Sequence, residues 1–128
     1  MQFILDTHTF IWLDLAPARL SARVAALIQD PRNTLFLSLV SLWEMQIKVQ
    51  LGKLHLRLPL SQVVAEQQQI NRLQLLPFKP AHIYTLDQLP LHHKDPFDRL
   101  LLAQAVTESM PLLSRDPLFS AYVVPVIW

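Results

Sequence analysis

Residues 92–105 read His-His-Lys-Asp-Pro-Phe-Asp-Arg-Leu-Leu-Leu-Ala-Gln-Ala. This stretch predicts a helix with an acidic N-terminus, because Asp95 suits the N-cap position and Pro96 suits the first helical position. The leucines and alanines that follow are helix formers and supply an apolar stripe that packs on a core. Asp95 and Asp98 stand three residues apart, so both project from the same end of the helix, where they either favour the helix dipole or hold a divalent metal. Taken alone, the stretch favours the acidic cap.

Short apolar runs alternate with helical patterns on both sides of this helix. The runs predict five strands, the last of them at a sheet edge because it contains a proline: residues 2–5, 34–39, 73–78, 110–113 and 123–128. Such alternation is typical of a parallel sheet that helices cover on both faces. We therefore predict a three-layer α/β fold with a central parallel sheet of four to five strands, and we assign residues 1–128 to this one domain.

Three local signals predict where the connecting helices begin and end. Ser41 and Glu44 have the Ser-x-x-Glu spacing of a capping box, which offers a purely structural role for Glu44. Ser61 suits the N-cap of a helix that runs to about Asn71. Gly52 is the only glycine in the chain, and we expect it to end the helix after the second strand because glycine readily adopts the left-handed conformation found there.

The composition excludes several classes of protein. Apolar residues make up 52% of the chain and charged residues 16%, which indicates a globular rather than a disordered protein. The chain has no cysteine, which excludes disulfides and thiolate metal sites and suits a reducing compartment. The first apolar run ends at Asp6 and is therefore too short for the apolar region of a signal peptide. No apolar run in the chain is long enough to span a membrane. We therefore expect a cytoplasmic protein.

Acidic residues follow three of the predicted strands. Asp6 ends the first strand, Glu44 lies within a turn of the end of the second, and Asp116 lies three residues beyond the fourth. The helix that begins at Asp95 and Asp98 leads into the fourth strand, so all five acids are expected at the carboxyl edge of the sheet, where open α/β sheets bind ligands. Clustered carboxylates raise one another's pKa and require a counter-cation. Because these donors are oxygens and no thiolate is present, Mg²⁺ or Mn²⁺ is the expected ion.

An acidic metal site of this kind suits phosphoryl chemistry. Ser114 is placed to position a water or a phosphate, and Arg99 and Arg115 are placed to contact phosphate, with a surface salt bridge as the alternative for each arginine. The net charge is only +1. If five of the 10 acids form one site, however, the rest of the chain has five acids and 11 basic residues. This excess of positive charge outside the site suits binding of nucleic acid. We interpret His92 and His93 as helix-entry residues bonded to backbone and assign them no catalytic role, with a metal or phosphate ligand as the alternative for either histidine.

Four segments carry these acids and hydroxyls at defined spacings: Leu5-Asp6-Thr7-His8, Ser41-x-x-Glu44, His93-x-Asp95-Pro96-Phe97-Asp98-Arg99-Leu100-Leu101-x-Ala103-Gln104-Ala105 and Leu113-Ser114-x-Asp116-x-x-Phe119. Together they resemble the PIN-domain family, and within it the VapC-like toxins of bacterial toxin–antitoxin pairs. The resemblance covers nearly the whole chain and implies a Mg²⁺-dependent ribonuclease. The acidic quartet of the family falls on Asp6, Glu44, Asp98 and Asp116, while Asp95 matches a supporting acid or helix cap and Ser114 matches a position usually held by Ser or Thr.

The resemblance also implies partners. The expected substrate is RNA, and the expected regulator is a small antitoxin whose C-terminal segment lies over the acidic groove. A homodimer is expected as well. The apolar side chains Trp12, Trp43, Phe97 and Leu51 are candidates to receive the antitoxin segment, although we expect most of them to belong to the buried core.

The residues alone leave two other functions open. Phosphotransfer through an aspartyl phosphate needs a nucleophilic Asp with a nearby lysine, but no lysine follows a strand end in the right place, and Asp6-Thr7-His8 lacks the Asp-x-Asp pattern of the phosphatases. A non-catalytic binding module would use the acids only to hold a basic partner. Metal-dependent cleavage of RNA that EDTA abolishes distinguishes a nuclease from both alternatives.

Overall fold

The computed structural model describes all 128 residues, Met1–Trp128. Five strands form its central sheet: β1 Gln2–Leu5, β2 Thr34–Ser38, β3 Gln74–Leu76, β4 Leu112–Leu113 and β5 Val126–Ile127. All four strand pairs are parallel, and the order across the sheet is β3-β2-β1-β4-β5. The predicted fold class is confirmed, and β5 lies at an edge, as Pro125 indicated.

Six α-helices connect or follow these strands: α1 Thr7–Leu15, α2 Ala22–Gln29, α3 Leu39–Gln50, α4 Leu60–Ile70, α5 Pro80–Thr85 and α6 Pro96–Glu108. Short 3₁₀ turns occupy Pro17–Arg19, Leu86–Gln88 and Pro117–Ala121. None of the helices combines the length and apolar character that crossing a membrane requires.

The side chains of β1 alternate between two apolar clusters, one on each face of the sheet. Phe3 and Leu5 pack with core residues from α1, α2, α3 and α4, whereas Ile4 packs on the opposite face with residues from α6. Successive residues of a strand point to opposite faces, so a strand buried on both sides reads as an unbroken apolar run. This packing produces the three layers and explains why the strands could be located from apolar runs alone.

The helix that carries Glu44 is capped differently from the prediction. Its N-cap is Ser38, whose hydroxyl accepts a hydrogen bond from the Val40 backbone N–H at 3.0 Å. Ser41 lies within the first turn of α3, so the capping box of Ser41 and Glu44 is wrong. The helix starts earlier because the chain turns directly from β2 into α3 without an intervening loop. Glu44 is therefore free of the structural role that its spacing offered.

Two other predicted helix ends have different outcomes. The N-cap assigned to Ser61 is wrong, because α4 begins at Leu60 and no side chain caps it. The carbonyl of Pro59 accepts the first bonds of this helix instead, from the N–H groups of Gln62 and Val63. Gly52 has a φ of +70°, so the expected left-handed residue after α3 is confirmed.

The strand order reverses beside β1, which lies between β2 and β4. The first half of the chain builds the sheet outward on one side, and β4 and β5 extend it on the other. In open α/β sheets this reversal opens a crevice beyond the carboxyl ends of the strands. The ends of β1 and β4 therefore mark the position where a functional site is expected.

Candidate metal and active site

Asp6 lies buried at the carboxyl end of β1. Its Oδ1 accepts a hydrogen bond from the Thr9 backbone N–H at 2.7 Å, so it also caps α1. Its Oδ2 accepts a hydrogen bond from the Ser114 hydroxyl, which comes from the segment after β4. Burial raises the pKa of the Asp6 carboxyl above its ordinary value even though these hydrogen bonds lower it. The charged form is therefore costly at this position unless a cation offsets the cost.

Glu44 is buried on α3 and faces the start of α1. The Thr7 hydroxyl donates to Glu44 Oε1 at 2.8 Å and also lies 3.0 Å from the Ser41 hydroxyl. Lys48, one turn further along α3, donates to Glu44 Oε2 at 2.9 Å. Because Thr7 follows Asp6 directly, these contacts bring the ends of β1 and β2 together and orient the Glu44 carboxylate.

Asp95 and Asp98 have separate roles at the start of α6. The Asp95 side chain accepts hydrogen bonds from the N–H groups of Phe97 and Asp98, at 2.9 and 3.1 Å, which makes it the N-cap of the helix. Asp98 makes no such bond. Burial, together with the charges of Asp95, Glu44 and Asp116, raises the pKa of the Asp98 carboxyl to about 7, although the charge of His93 lowers it. Asp98 therefore lies in the field of the other acids.

Asp116 and Ser114 follow β4 and complete the cluster. The Ser114 hydroxyl donates to Asp6 and accepts from the Asp116 backbone N–H at 3.0 Å, so one serine links the segments after β1 and β4. Asp116 also caps the 3₁₀ turn that follows it, through the Leu118 backbone N–H. The Asp116 carboxylate is only partly buried. Ser114 thus positions the carboxylates rather than facing solvent.

His93 lies against Asp98 and Asp116, in the position of the alternative role that its sequence context left open. Its Nε2 lies 3.1 Å from Asp98 Oδ2 and 3.2 Å from Asp116 Oδ2, and its ring stacks on Phe119. Its Nδ1 accepts from the Asp95 backbone N–H at 3.3 Å, so the backbone bond that we predicted is present, and Nε2–H is directed at the two carboxylates. His93, Asp98 and Asp116 each place a metal-ligating atom within 4.8 Å of the others.

Arg99 holds the loop before α6 rather than contacting the acids. Its guanidinium donates to four backbone carbonyls, those of Leu86, Leu89, Pro90 and His93, at 2.9 to 3.4 Å. The salt bridge considered as an alternative for this arginine does not form. Arg99 therefore stabilises the loop that carries His93, and a phosphate contact by Arg99 stays a prediction.

Arg115 lines an open cavity of about 400 Å³ beside the acids. The other residues that line this cavity are Asp6, His8, Trp12, Asp116 and Pro117. Arg115 is exposed and makes no salt bridge, so its guanidinium is free to meet an anion that enters the cavity. The position agrees with a phosphate contact, which stays a prediction.

The apolar residues assigned mainly to the core are divided between core and surface. Trp43 is 61% exposed and Leu51 is 62% exposed, so the core interpretation is wrong for both. Trp12 and Phe97 are half-buried, and the Phe97 ring lies 5.2 Å from the Trp43 ring in an edge-to-face arrangement. Trp43 directly precedes Glu44 and Phe97 directly precedes Asp98, so this aromatic pair is adjacent in the chain to two of the acids.

A parallel α/β fold that gathers acidic side chains beyond the carboxyl edge of its sheet defines the class of protein, and comparison with known proteins identifies the family. The sequence model of the PIN domain family matches residues 3–124. The chain therefore belongs to the PIN domain family. No protein of curated function matches it significantly in sequence.

Several solved structures share the fold over nearly the full length of both chains. VapBC2 from Rickettsia felis, bound to a DNA fragment from its promoter, has a TM-score of 0.73 at 18% identity and covers 99% of this chain and 98% of that chain. DNA-bound VapBC from Salmonella typhimurium gives 0.71 at 13% identity, with 99% and 97% covered. FitAcB from Neisseria gonorrhoeae gives 0.63 at 21% identity, with 98% and 96% covered. At these identities the likeness establishes the fold.

The donor set fits a hard divalent cation. The atoms directed into the cluster are carboxylate oxygens and one imidazole nitrogen, and no thiolate is present. Burial raises the pKa of Asp6, and burial with the neighbouring acids raises the pKa of Asp98, so a cation would favour the charged form of both. Lys48 supplies the one lysine charge in direct contact with the cluster, at Glu44. A bound cation would lower the pKa of both aspartates and offset the repulsion among the remaining carboxylates.

The metal-free chain is expected to lose stability as the pH rises. The pKa of Asp98 is about 7 in the folded chain against an ordinary value of 3.8, so the folded chain binds more protons between these values. Stability therefore falls through this interval and levels off above it. Melting curves in EDTA should show a higher Tm at pH 5 than at pH 8, and Asp98→Asn should reduce the difference. An identical pH dependence in the two proteins would contradict the assignment.

Proposed function

We propose that the chain is a Mg²⁺- or Mn²⁺-dependent endoribonuclease that hydrolyses RNA phosphodiester bonds. Asp6, Glu44, Asp98 and Asp116 are the proposed metal ligands. The observation that carries the proposal is that Asp98 and Asp116 meet at His93. Ser114 links Asp6 to the segment that carries Asp116, and the Glu44 charge acts on Asp98. Membership of the PIN domain family supports the same reading.

The residues of the chain have distinct roles in this proposal. The metal, when bound, would polarise the phosphate and make a water molecule a better nucleophile. Asp6 and Asp98 provide the buried charge that attracts the cation, and Ser114 and Thr7 fix the orientation of Asp6 and Glu44. Arg115 is the proposed phosphate contact, since its guanidinium lies free beside Asp6 and Asp116.

Cleavage of single-stranded RNA should depend on a divalent cation. A labelled RNA incubated with the purified chain should be cut in Mg²⁺ or Mn²⁺, left intact in EDTA, and cut again when the metal is restored. A gel that resolves the fragments provides the measurement. Intact RNA under all conditions, together with capture of a basic partner, would support the binding module, while formation of an aspartyl phosphate at Asp6 would support phosphotransfer.

We further propose that this nuclease is the toxin of a toxin–antitoxin pair. Its support is the fold shared with the VapBC and FitAcB complexes, and the exposed Trp43 beside Phe97 and the acids, which offers an apolar surface for an antitoxin segment. Such a toxin would act on cytoplasmic RNA. We also propose that the chain forms a homodimer, and sedimentation measured at several protein concentrations tests this assembly.

The toxin role predicts a growth phenotype. Expression of the chain alone should arrest bacterial growth, because uncontrolled RNA cleavage stops protein synthesis, and co-expression of the neighbouring small reading frame should restore growth. Colony counts after induction measure both effects. The Asp98→Asn variant serves as the matched control and should be harmless. Equal growth with and without the neighbour would count against the toxin role but not against nuclease activity.

A further inference from the structure

The cavity beside Asp6 and Asp116 has two chemically different walls. Asp6 and Asp116 provide the acidic wall, which also belongs to the proposed metal site. Trp12 and His8 also line the cavity, and the centroids of their rings lie 6.0 Å apart at an angle of 49°. Arg115 adds the one guanidinium that lines the cavity. The proposed nuclease site uses the acids and Arg115 but gives no role to the aromatic rings.

The Trp12 ring is held in place by its neighbours. The Trp128 ring packs on it edge-to-face at 5.6 Å, and the Arg19 guanidinium carbon lies 5.8 Å from its centroid. Half of Trp12 packs against the core, and the remainder lines the cavity. A fixed aromatic surface loses little conformational freedom when a flat ligand stacks on it. The cavity volume of about 400 Å³ falls within the range of about 300–1,000 Å³ typical of small-ligand sites.

We propose that this cavity binds one unpaired nucleobase of a single-stranded RNA, next to the phosphate that the acidic site would cleave. The base stacks on Trp12 with His8 beside it, and Arg115 contacts the adjoining phosphate. Proteins bind single-stranded nucleic acid by combining aromatic stacking with cationic contacts to the backbone, and this cavity offers both within one volume. A base inside a duplex is already stacked on its neighbours and cannot enter. The inference rests on the proposed nuclease function and adds a base-binding position formed by Trp12 and His8.

Binding is measured without cleavage, by fluorescence anisotropy in EDTA at low salt. The first probe is a short single-stranded RNA of mixed sequence, and the second is a strand of the same length and charge that lacks bases. We expect the wild-type chain to bind the base-bearing strand about tenfold more tightly, in line with the stacking of one base on an aromatic ring. Equal affinity for the two strands, or no binding of either, would overturn the proposal. Annealing the RNA to its complementary strand should abolish the tighter binding of the base-bearing RNA.

Variants then locate the preference in the cavity. Trp12→Leu should bring the affinity ratio close to one without altering affinity for the strand that lacks bases. Tyr84→Leu, an exposed aromatic on α5 outside the cavity, should leave the ratio unchanged. Because Trp12 also packs on the core, its melting curve is checked, and His8→Ala provides a second test at an exposed residue, with a partial loss expected. An unchanged ratio in both cavity variants would exclude the cavity as the base site.

A second pair of variants tests the phosphate contact. Arg115→Gln should weaken binding of both strands by the same factor, because it removes a contact to the backbone. Arg32→Gln removes an equal charge from an exposed site before β2, at the opposite edge of the sheet, and should have little effect. Base-dependent binding without any metal-dependent cleavage would support the cavity and count against the nuclease. Cleavage without base-dependent binding would leave the nuclease in place and overturn the cavity.

Discussion

Replacement of Asp98 by asparagine is expected to reduce RNA cleavage by about a hundredfold or more while the fold remains intact. Mutation of a residue that hydrogen-bonds to a metal ligand typically lowers metal affinity or activity by about 10–100-fold. Loss of the charge of a ligand itself should therefore lower activity by at least as much. Helix α6 should persist because Asp95, not Asp98, accepts the capping hydrogen bonds. Stability in EDTA at pH 8 should stay level or rise, since burial and the neighbouring acids raise the pKa of Asp98 and the variant removes its charge.

Asp95→Asn is the matched control for this prediction. Asparagine caps helices about as well as aspartate, so α6 should again be preserved. Asp95 points its Oδ1 at the first N–H groups of α6, so its loss of charge should impair cleavage less than the loss at Asp98. Cleavage rates at equal Mg²⁺ concentrations and melting curves of both variants provide the comparison. Near-normal cleavage by Asp98→Asn would defeat the proposed ligand assignment.

The sheet was predictable because burial on both faces leaves a plain signal in the sequence. The apolar runs 2–5 and 34–39 predict strands, and the strands observed there are Gln2–Leu5 and Thr34–Ser38. Their side chains Phe3, Ile4 and Leu35 are buried. The ends of the short strands were less predictable. Only Leu112–Leu113 of the run 110–113 is strand, because strand ends depend on pairing with neighbours rather than on apolar character.

The acids were predictable as a group because the ends of parallel strands meet at one edge. That rule uses only the position of Asp6, Glu44 and Asp116 after apolar runs. The role of Glu44 was harder to judge, since the spacing from Ser41 matched a capping box by coincidence. The contact that decides its role comes from Thr7, which lies 37 residues away and carries no signal in the local sequence.

The loop before α6 explains why the sequence favoured a backbone bond for His93 over contact with the acids. The His93 backbone N–H donates to the Tyr122 hydroxyl at 2.8 Å, and Arg99 bonds to its carbonyl. These two contacts join three separate segments and turn the imidazole toward Asp98 and Asp116. A histidine before a helix N-cap gives no sign of such an arrangement, because the loop's shape depends on residues distant in the chain. Phe119, on which the ring stacks, is also distant in the sequence.

Lys48 gives the proposed site an unusual balance of charge. Its ammonium lies 2.9 Å from Glu44 Oε2, and its side chain is only about one-third exposed. The lysine neutralises Glu44 in the metal-free chain, and it also stands where it would repel a divalent cation. The charge that the cation meets near α3 is therefore the sum of Glu44 and Lys48, which is close to zero. Because Lys48 already offsets the charge of Glu44, removal of the Glu44 charge should weaken metal binding strongly.

Replacement of Glu44 by glutamine is accordingly expected to lower RNA cleavage by about a hundredfold or more, again with the fold preserved. Glutamine still accepts the hydrogen bond from Thr7, but Lys48 then presents an uncompensated positive charge to the cation. The double variant Glu44→Gln with Lys48→Met removes that charge and should recover about tenfold of the loss. Titration of cleavage rate against Mg²⁺ measures both effects, and Glu66→Gln on the exposed part of α4 is the control. Failure of Lys48→Met to improve on Glu44→Gln alone would show that the lysine does not oppose metal binding, and wild-type cleavage by Glu44→Gln would remove Glu44 from the site.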